Sequence, residues 1–189
     1  MKLFVVALLL AAAHALPGLV AYASPASFGA SLRRFARNIP IGVGLMLVGT
    51  AWFFYNLYRS DLTDFAAIRP FLYGAVILLG IANCLYVQDY IAVRGAAVVA
   101  LLLCDKILDW QRWHTTQGFD PQSVLQPKNL IALWCYLLIV LAIWLVHAPY
   151  RLRDWLDWAS ATPGRLQRVG GGLMGMGAAL AVVAGVWLR

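Results

Sequence analysis

The sequence predicts an all-α protein, a polytopic transmembrane helical bundle of about six spans with short amphipathic helices in the membrane interface. Three observations carry the prediction. Hydrophobic residues fill 62 % of 189 positions and charged residues only 12 %, whereas about a quarter of a soluble domain is charged. The apolar residues gather into charge-free runs long enough to cross ~30 Å of hydrocarbon, which takes ~20 helical residues. Proline and arginine stand between the runs, where membrane helices begin and end.

The first run, Leu3 to Phe28, carries no charge and should supply a span over residues 3–23. Its basic start and the Ala21-Tyr22-Ala23 triplet also suit a cleavable secretory leader. Retention is the expectation. The run exceeds a leader's apolar core, and removal would leave Arg33, Arg34 and Arg37 outside, against the positive-inside tendency. Pro17 should kink this helix.

The second and third spans, 39–58 and 70–88, open at Pro40 and Pro70, where a missing N–H in the first turn costs nothing. The fourth, 91–110, is weaker, because its uncharged core runs only from Gly95 to Cys104. Arg94 and Lys106 can snorkel to opposite headgroup layers and lengthen it. The fifth, 129–148, stops before Pro149, and the sixth, 169–188, closes the chain. His114 to Lys128 form a polar loop too short to be a domain, so residues 1–189 read as one membrane domain.

Two of the linkers are amphipathic. Phe28, Leu32 and Phe35 share a helical face in one, and Leu152, Trp155, Leu156 and Ala159 in the other, with arginines on the remaining faces. Both should lie on the bilayer. The first, third and fifth loops hold Arg33, Arg34, Arg37, Arg94, Arg151, Arg153, Arg165 and Arg168, which places them in the cytoplasm and both termini outside. Basic residues confined to such loops read as topology signals and lipid contacts, and nucleic acid is not an expected partner.

Few residues could carry chemistry. Arg94, Asp105, Asp109 and Arg112 fall on one stripe of the fourth helix, a candidate polar or ion site, with Lys106 off the stripe. Asp105 should face the bundle interior, Asp109 should pair with Arg112 or with a basic group from a neighbouring loop, and Lys106 should point to headgroups, because an unpaired carboxylate among lipid tails costs several kcal/mol. No catalytic site is assigned. The spans hold no GxSxG, HExxH or Ser-His pair. Asp105-xxx-Asp109 lacks the upstream aspartates of CDP-alcohol phosphatidyltransferases, and Leu101 stands where they carry glycine.

His14 and His147 are the only in-span histidines, and haem between them is disfavoured, because they are isolated and need not match in depth. No cofactor or metal is expected. Cys84, Cys104 and Cys135 lie in separate runs and read as small buried thiols, and Asn56 and Asn83 as amides bonding between helices. In the last span Gly171, Gly175 and Ala179 form one small-residue ladder and Gly177, Ala181 and Gly185 another, and such faces should let another helix approach. Together these readings favour a non-enzymatic subunit, accessory or scaffold protein of a bacterial-type inner membrane complex, in contact with lipid and other membrane subunits. The alternatives are a small proton- or cation-coupled transporter using Asp105 and Asp109, and a haem- or quinone-binding electron carrier.

Overall fold

The structure is a computed structural model that describes residues 2–60, 63–112 and 129–187. Eight α-helices and no strand occur among the described residues: α1 Lys2–Ala23, α2 Pro25–Ala36, α3 Ile39–Arg59, α4 Arg69–Tyr86, α5 Ile91–Arg112, α6 Asn129–His147, α7 Tyr150–Ala159 and α8 Pro163–Trp187, with a 3-10 helix at Thr63–Ile68. The expected all-α bundle is therefore the observed one. The polar loop His114 to Lys128 and the side chain of Arg112 lie outside the described residues.

The helix starts follow local chemistry. Asn38 caps α3 by accepting a hydrogen bond from the Ile41 N–H at 3.0 Å, and Pro40 follows in the first turn. Proline also stands in the first turn of α2 and of α4. α1 passes through Pro17 as one helix. α8 begins at Pro163, six residues before the expected 169, because Arg165 and Arg168 are built into its first turns. The Arg165 guanidinium lies 5.3 Å from the Trp158 ring and Arg168 reaches back to the Gly164 carbonyl, so both charges stay at the end of the helix.

Five helices, α1, α3, α4, α6 and α8, are long and apolar enough to cross a membrane. The neighbours of α5 settle how it lies. A Cβ on Gly42 would meet Ala92, and one on Gly49 would meet Val98, so α3 and α5 run parallel. Gln111 bonds Asn129, and the Cys104 and Cys135 thiols meet, so α5 and α6 run antiparallel. Thr50 sits at Gly80, and Tyr73 packs on Phe54 and Tyr58, which makes α3 and α4 antiparallel. α5 thus runs the length of the bundle beside α3 and α6, and these neighbours shield much of a helix whose uncharged core is short.

This register puts α2, α7, the α4–α5 corner and the start of α8 at one end, the basic end. The start of α1, the charged end of α5 and the close of α8 stand at the other. Inside, small residues dominate: Ala7, Ala11, Cys104, Cys135 and Ala184 surround Leu180, Ile107 and Ile131 in one core, while Met46, Cys84 and Ile91 make a second. Outside are large apolar groups such as Leu9, Leu78 and Val140, each about two-thirds exposed. A surface greasier than the interior suits lipid as the solvent.

The glycine ladder needs correction. Gly171 and Gly175 have nothing within 4 Å of a built Cβ, and Ala179 is exposed, so that face meets no helix among the described residues. The close approach is made by Gly170 and Gly177. A Cβ on Gly170 would lie 2.7 Å from the Gly18 carbonyl, one on Gly18 would lie 2.8 Å from the Gly170 carbonyl, and one on Gly177 would lie 2.8 Å from the Ala11 carbonyl. Gly170 and Gly177 are two turns apart on one stripe, and Gly171 is turned about 100° and Gly175 about 140° away from Gly170.

Because α1 is the ridge that fills this groove, cleavage after Ala23 would strip α8 of its partner. The mature protein should therefore keep residues 1–23 when its intact mass is measured. A mature chain beginning at Ser24 would refute this.

Candidate functional site

The charged end of α5 is the first candidate, and its geometry departs from the expectation. Asp105 does not face the interior. Its side chain is 57 % exposed and pairs with Lys106 at 3.5 Å, while Lys106 also reaches Asp109 at 3.9 Å. The inward positions are Cys104, Ile107 and Gln111, at 1 %, 6 % and 6 % exposure. The physical reason is the phase of the helix. Cys104 and Ile107 fit the small-residue core against α1, α6 and α8, and that fit turns Asp105 outward. Lys106, expected to seek headgroups alone, sits between the two carboxylates as their counter-ion. The expected pairing of Asp109 with Arg112 falls on a side chain outside the described residues.

Arg94 belongs to the other end of α5, about 16 Å from Asp105 at 1.5 Å per residue. It is half-buried beside Gln88 and Asp89, and its Nε is buried without a hydrogen bond. The supposed stripe of two carboxylates and two guanidiniums is therefore not brought together among the described side chains. The histidines are separate too. His14 Nδ1 lies 2.7 Å from the Leu10 carbonyl of its own helix, and its ring packs edge-on to Trp134 at 4.8 Å. His147 is exposed at the far end of α6, about 20 Å along the helix from Trp134. Asn83 donates to the Leu79 carbonyl of its own helix at 2.8 Å, not across helices. All three cysteines are free and buried.

The second candidate lies at the basic end, where α2 and α7 meet. α2 buries Gly29 and Ala36 and turns Arg33, Arg34 and Arg37 out. α7 buries Leu156 and Ala159, while Trp155, expected on that face, is 43 % exposed. With Tyr150 and Trp158 also exposed, three aromatic residues of α7 stand at the surface, where such rings suit the headgroup layer. Arg33 joins the two helices, bonding Asp157 at 3.2 Å and the Ser160 hydroxyl.

Between them opens a cavity of ≈ 790 Å³, lined by Arg33, Arg34, Arg37, Arg153, Tyr90 and Asp157. Asn38, Ile39 and Pro40 continue its wall, so the positive end of the α3 dipole borders it. Arg153 is held by Asp154 at 2.8 Å, and that bond, with Tyr90 beside it, raises its pKa above the usual guanidinium value. Arg34 and Arg37 make no ion pair or hydrogen bond among the described residues. Tyr90 turns the α4–α5 corner at φ 53°, a left-handed conformation that costs a non-glycine residue about 1 kcal/mol.

Reading the sequence separated these residues. Both arginine groups were legible as interfacial helices on one side of the membrane, but not as two walls of one cavity. Tyr90 and Asp157 carried no signal beyond their places near those groups. Compared with family models, with curated proteins and with solved structures, the chain matches none of them.

Proposed function

We propose that this multi-pass membrane protein is a non-enzymatic subunit or scaffold of a membrane complex, and that a partner subunit docks on the outer face of the charged end of α5. The observation that carries this reading is the exposed Asp105–Lys106–Asp109 cluster. Asp105 lies about 10 Å short of the end of α5, with Leu103 and Trp110, 46 % and 38 % exposed, on either side of it. A carboxylate at that level is costly against lipid, and Lys106 at 3.5 Å offsets only part of the cost. A polar group on a neighbouring subunit would supply the rest.

Transport through the bundle has less support, since Gln111 is the sole polar side chain buried among the described residues and both candidate carboxylates face out. The reading places the arginine-rich end in the cytoplasm of a bacterial-type inner membrane, following the positive-inside tendency.

The test is capture of the tagged full-length protein from native membranes after cross-linking, with mass spectrometry of what it holds. Asp105→Asn combined with Lys106→Gln should leave the thermal midpoint unchanged, because both side chains are exposed. Recovery of a stoichiometric partner should fall about fivefold, the loss of roughly 1 kcal/mol from an interhelical polar contact. If the wild-type chain captures no stoichiometric partner, or the double variant captures it undiminished, the reading is wrong.

A further inference from the structure

We infer that the cavity between α2, α7 and the start of α3 is a binding site for a phosphate-bearing anion, with the headgroup of an anionic phospholipid as its chief source. The site stands independently of the docking face on α5, which is at the opposite end of the bundle.

Charge is the first ground. Four arginines line the cavity against one aspartate. Two of them are already engaged, Arg33 by Asp157 and Ser160, and Arg153 by Asp154. The Arg33 contacts tie α2 to α7, whereas the Arg153 bond stays within α7. Arg34 and Arg37 remain, exposed and without partners among the described residues, as two forks of N–H donors beside one cavity. Guanidinium forks match phosphate oxygens two at a time, which a single ammonium cannot do. The start of α3 adds the partial positive charge of a helix N-terminus.

Size and place are the second ground. A volume of ≈ 790 Å³ exceeds the need of an inorganic phosphate and suits a headgroup with its glycerol. The walls are amphipathic helices at the end of the bundle, the level where headgroups lie. Ile39 and Pro40 lead from the arginines onto the exposed apolar surface of α3, where Ile39 and Ile41 are 45 % and 46 % exposed. An acyl chain leaving the cavity would therefore meet hydrocarbon-compatible surface.

The experiment uses delipidated full-length protein in a neutral detergent, titrated in parallel with phosphatidylglycerol, phosphatidylcholine and inorganic phosphate, and read by native mass spectrometry and calorimetry. Phosphatidylglycerol should bind at least tenfold tighter than phosphatidylcholine, given about a factor of five for each unpaired basic residue near an anionic surface. Arg34→Gln with Arg37→Gln should bring that ratio close to one without changing the thermal midpoint. Arg165→Gln with Arg168→Gln removes the same charge from the same end of the bundle but outside the cavity, and should keep the preference. Inorganic phosphate bound alone, and lost in the cavity variant, would support the site with a soluble phosphate as its source. The inference is overturned if no arm binds, or if the α8 variant loses the preference as fully as the cavity variant does, since attraction would then come from net charge and not from a site.

Discussion

Gly170→Leu should destabilise the protein by about 3 kcal/mol, while Gly175→Leu, five residues along the same helix, should change stability by less than about 0.5 kcal/mol. The two glycines differ in what stands in front of them. A Cβ at Gly170 would meet the Gly18 carbonyl at 2.7 Å and the Tyr22 N–H at 2.9 Å, whereas nothing lies within 4 Å of Gly175. The obstacle at Gly170 is backbone, which cannot swing aside as a side chain would, so α1 and α8 must separate. Separation forfeits the tight packing that stands in for the hydrophobic effect between helices in lipid. Thermal unfolding in detergent measures the difference. The thiols give a second readout, because Cys104 and Cys135 lie in the core that Ala7, Ala11, Leu180 and Ala184 complete. In the Gly170 variant both should react faster with a small maleimide. Equal midpoints for the two variants would mean that the α1–α8 contact does not hold the bundle.

That contrast also shows where sequence reading ran out. The spans were legible because length and lack of charge are properties of a segment alone, and prolines at 40, 70 and 149 punctuate them. Which face of a span turns inward is a property of two segments together. In the run Gly170-Gly171-Gly172 every residue is equally small, so composition cannot say which of three faces meets α1. The same ambiguity defeated Asp105. Helical periodicity put it on a stripe with Arg94, Asp109 and Arg112, but the positions that pack against α6 are Cys104, one residue before it, and Ile107, two after it. Small thiols are weaker markers of an interior than charges are of an exterior, and the charges invited a functional reading. The basic cavity was harder still, since Arg33 and Asp157 are 124 positions apart and only the folded chain brings them to 3.2 Å.

The parallel seam between α3 and α5 carries the last prediction. A Cβ at Gly95 would stand 2.8 Å from the Leu45 Cβ and 3.0 Å from the Met46 N–H, so Gly95→Leu should prise the two helices apart. The consequence should be local, because the bundle has two cores. Cys84 belongs to the one built from Met46 and Ile91 at this seam, whereas Cys104 and Cys135 belong to the other. Faster maleimide labelling of Cys84, with Cys104 and Cys135 still protected, is the expected outcome, together with a loss of about 2–3 kcal/mol. Gly74→Leu on α4 is the control, since nothing lies within 4 Å of Gly74. Opening the seam should also reach the membrane placement of α5. Its uncharged core is ten residues, Gly95 to Cys104, too few to span ~30 Å unaided, so a placement across the bilayer would rest on its contacts with α3 and α6. A protease site placed after Arg112 should then become cleavable from the basic side in a fraction of Gly95→Leu molecules and stay protected from that side in wild type. If Gly95→Leu exposes all three thiols at once, the bundle has a single core and α5 is not held separately by α3.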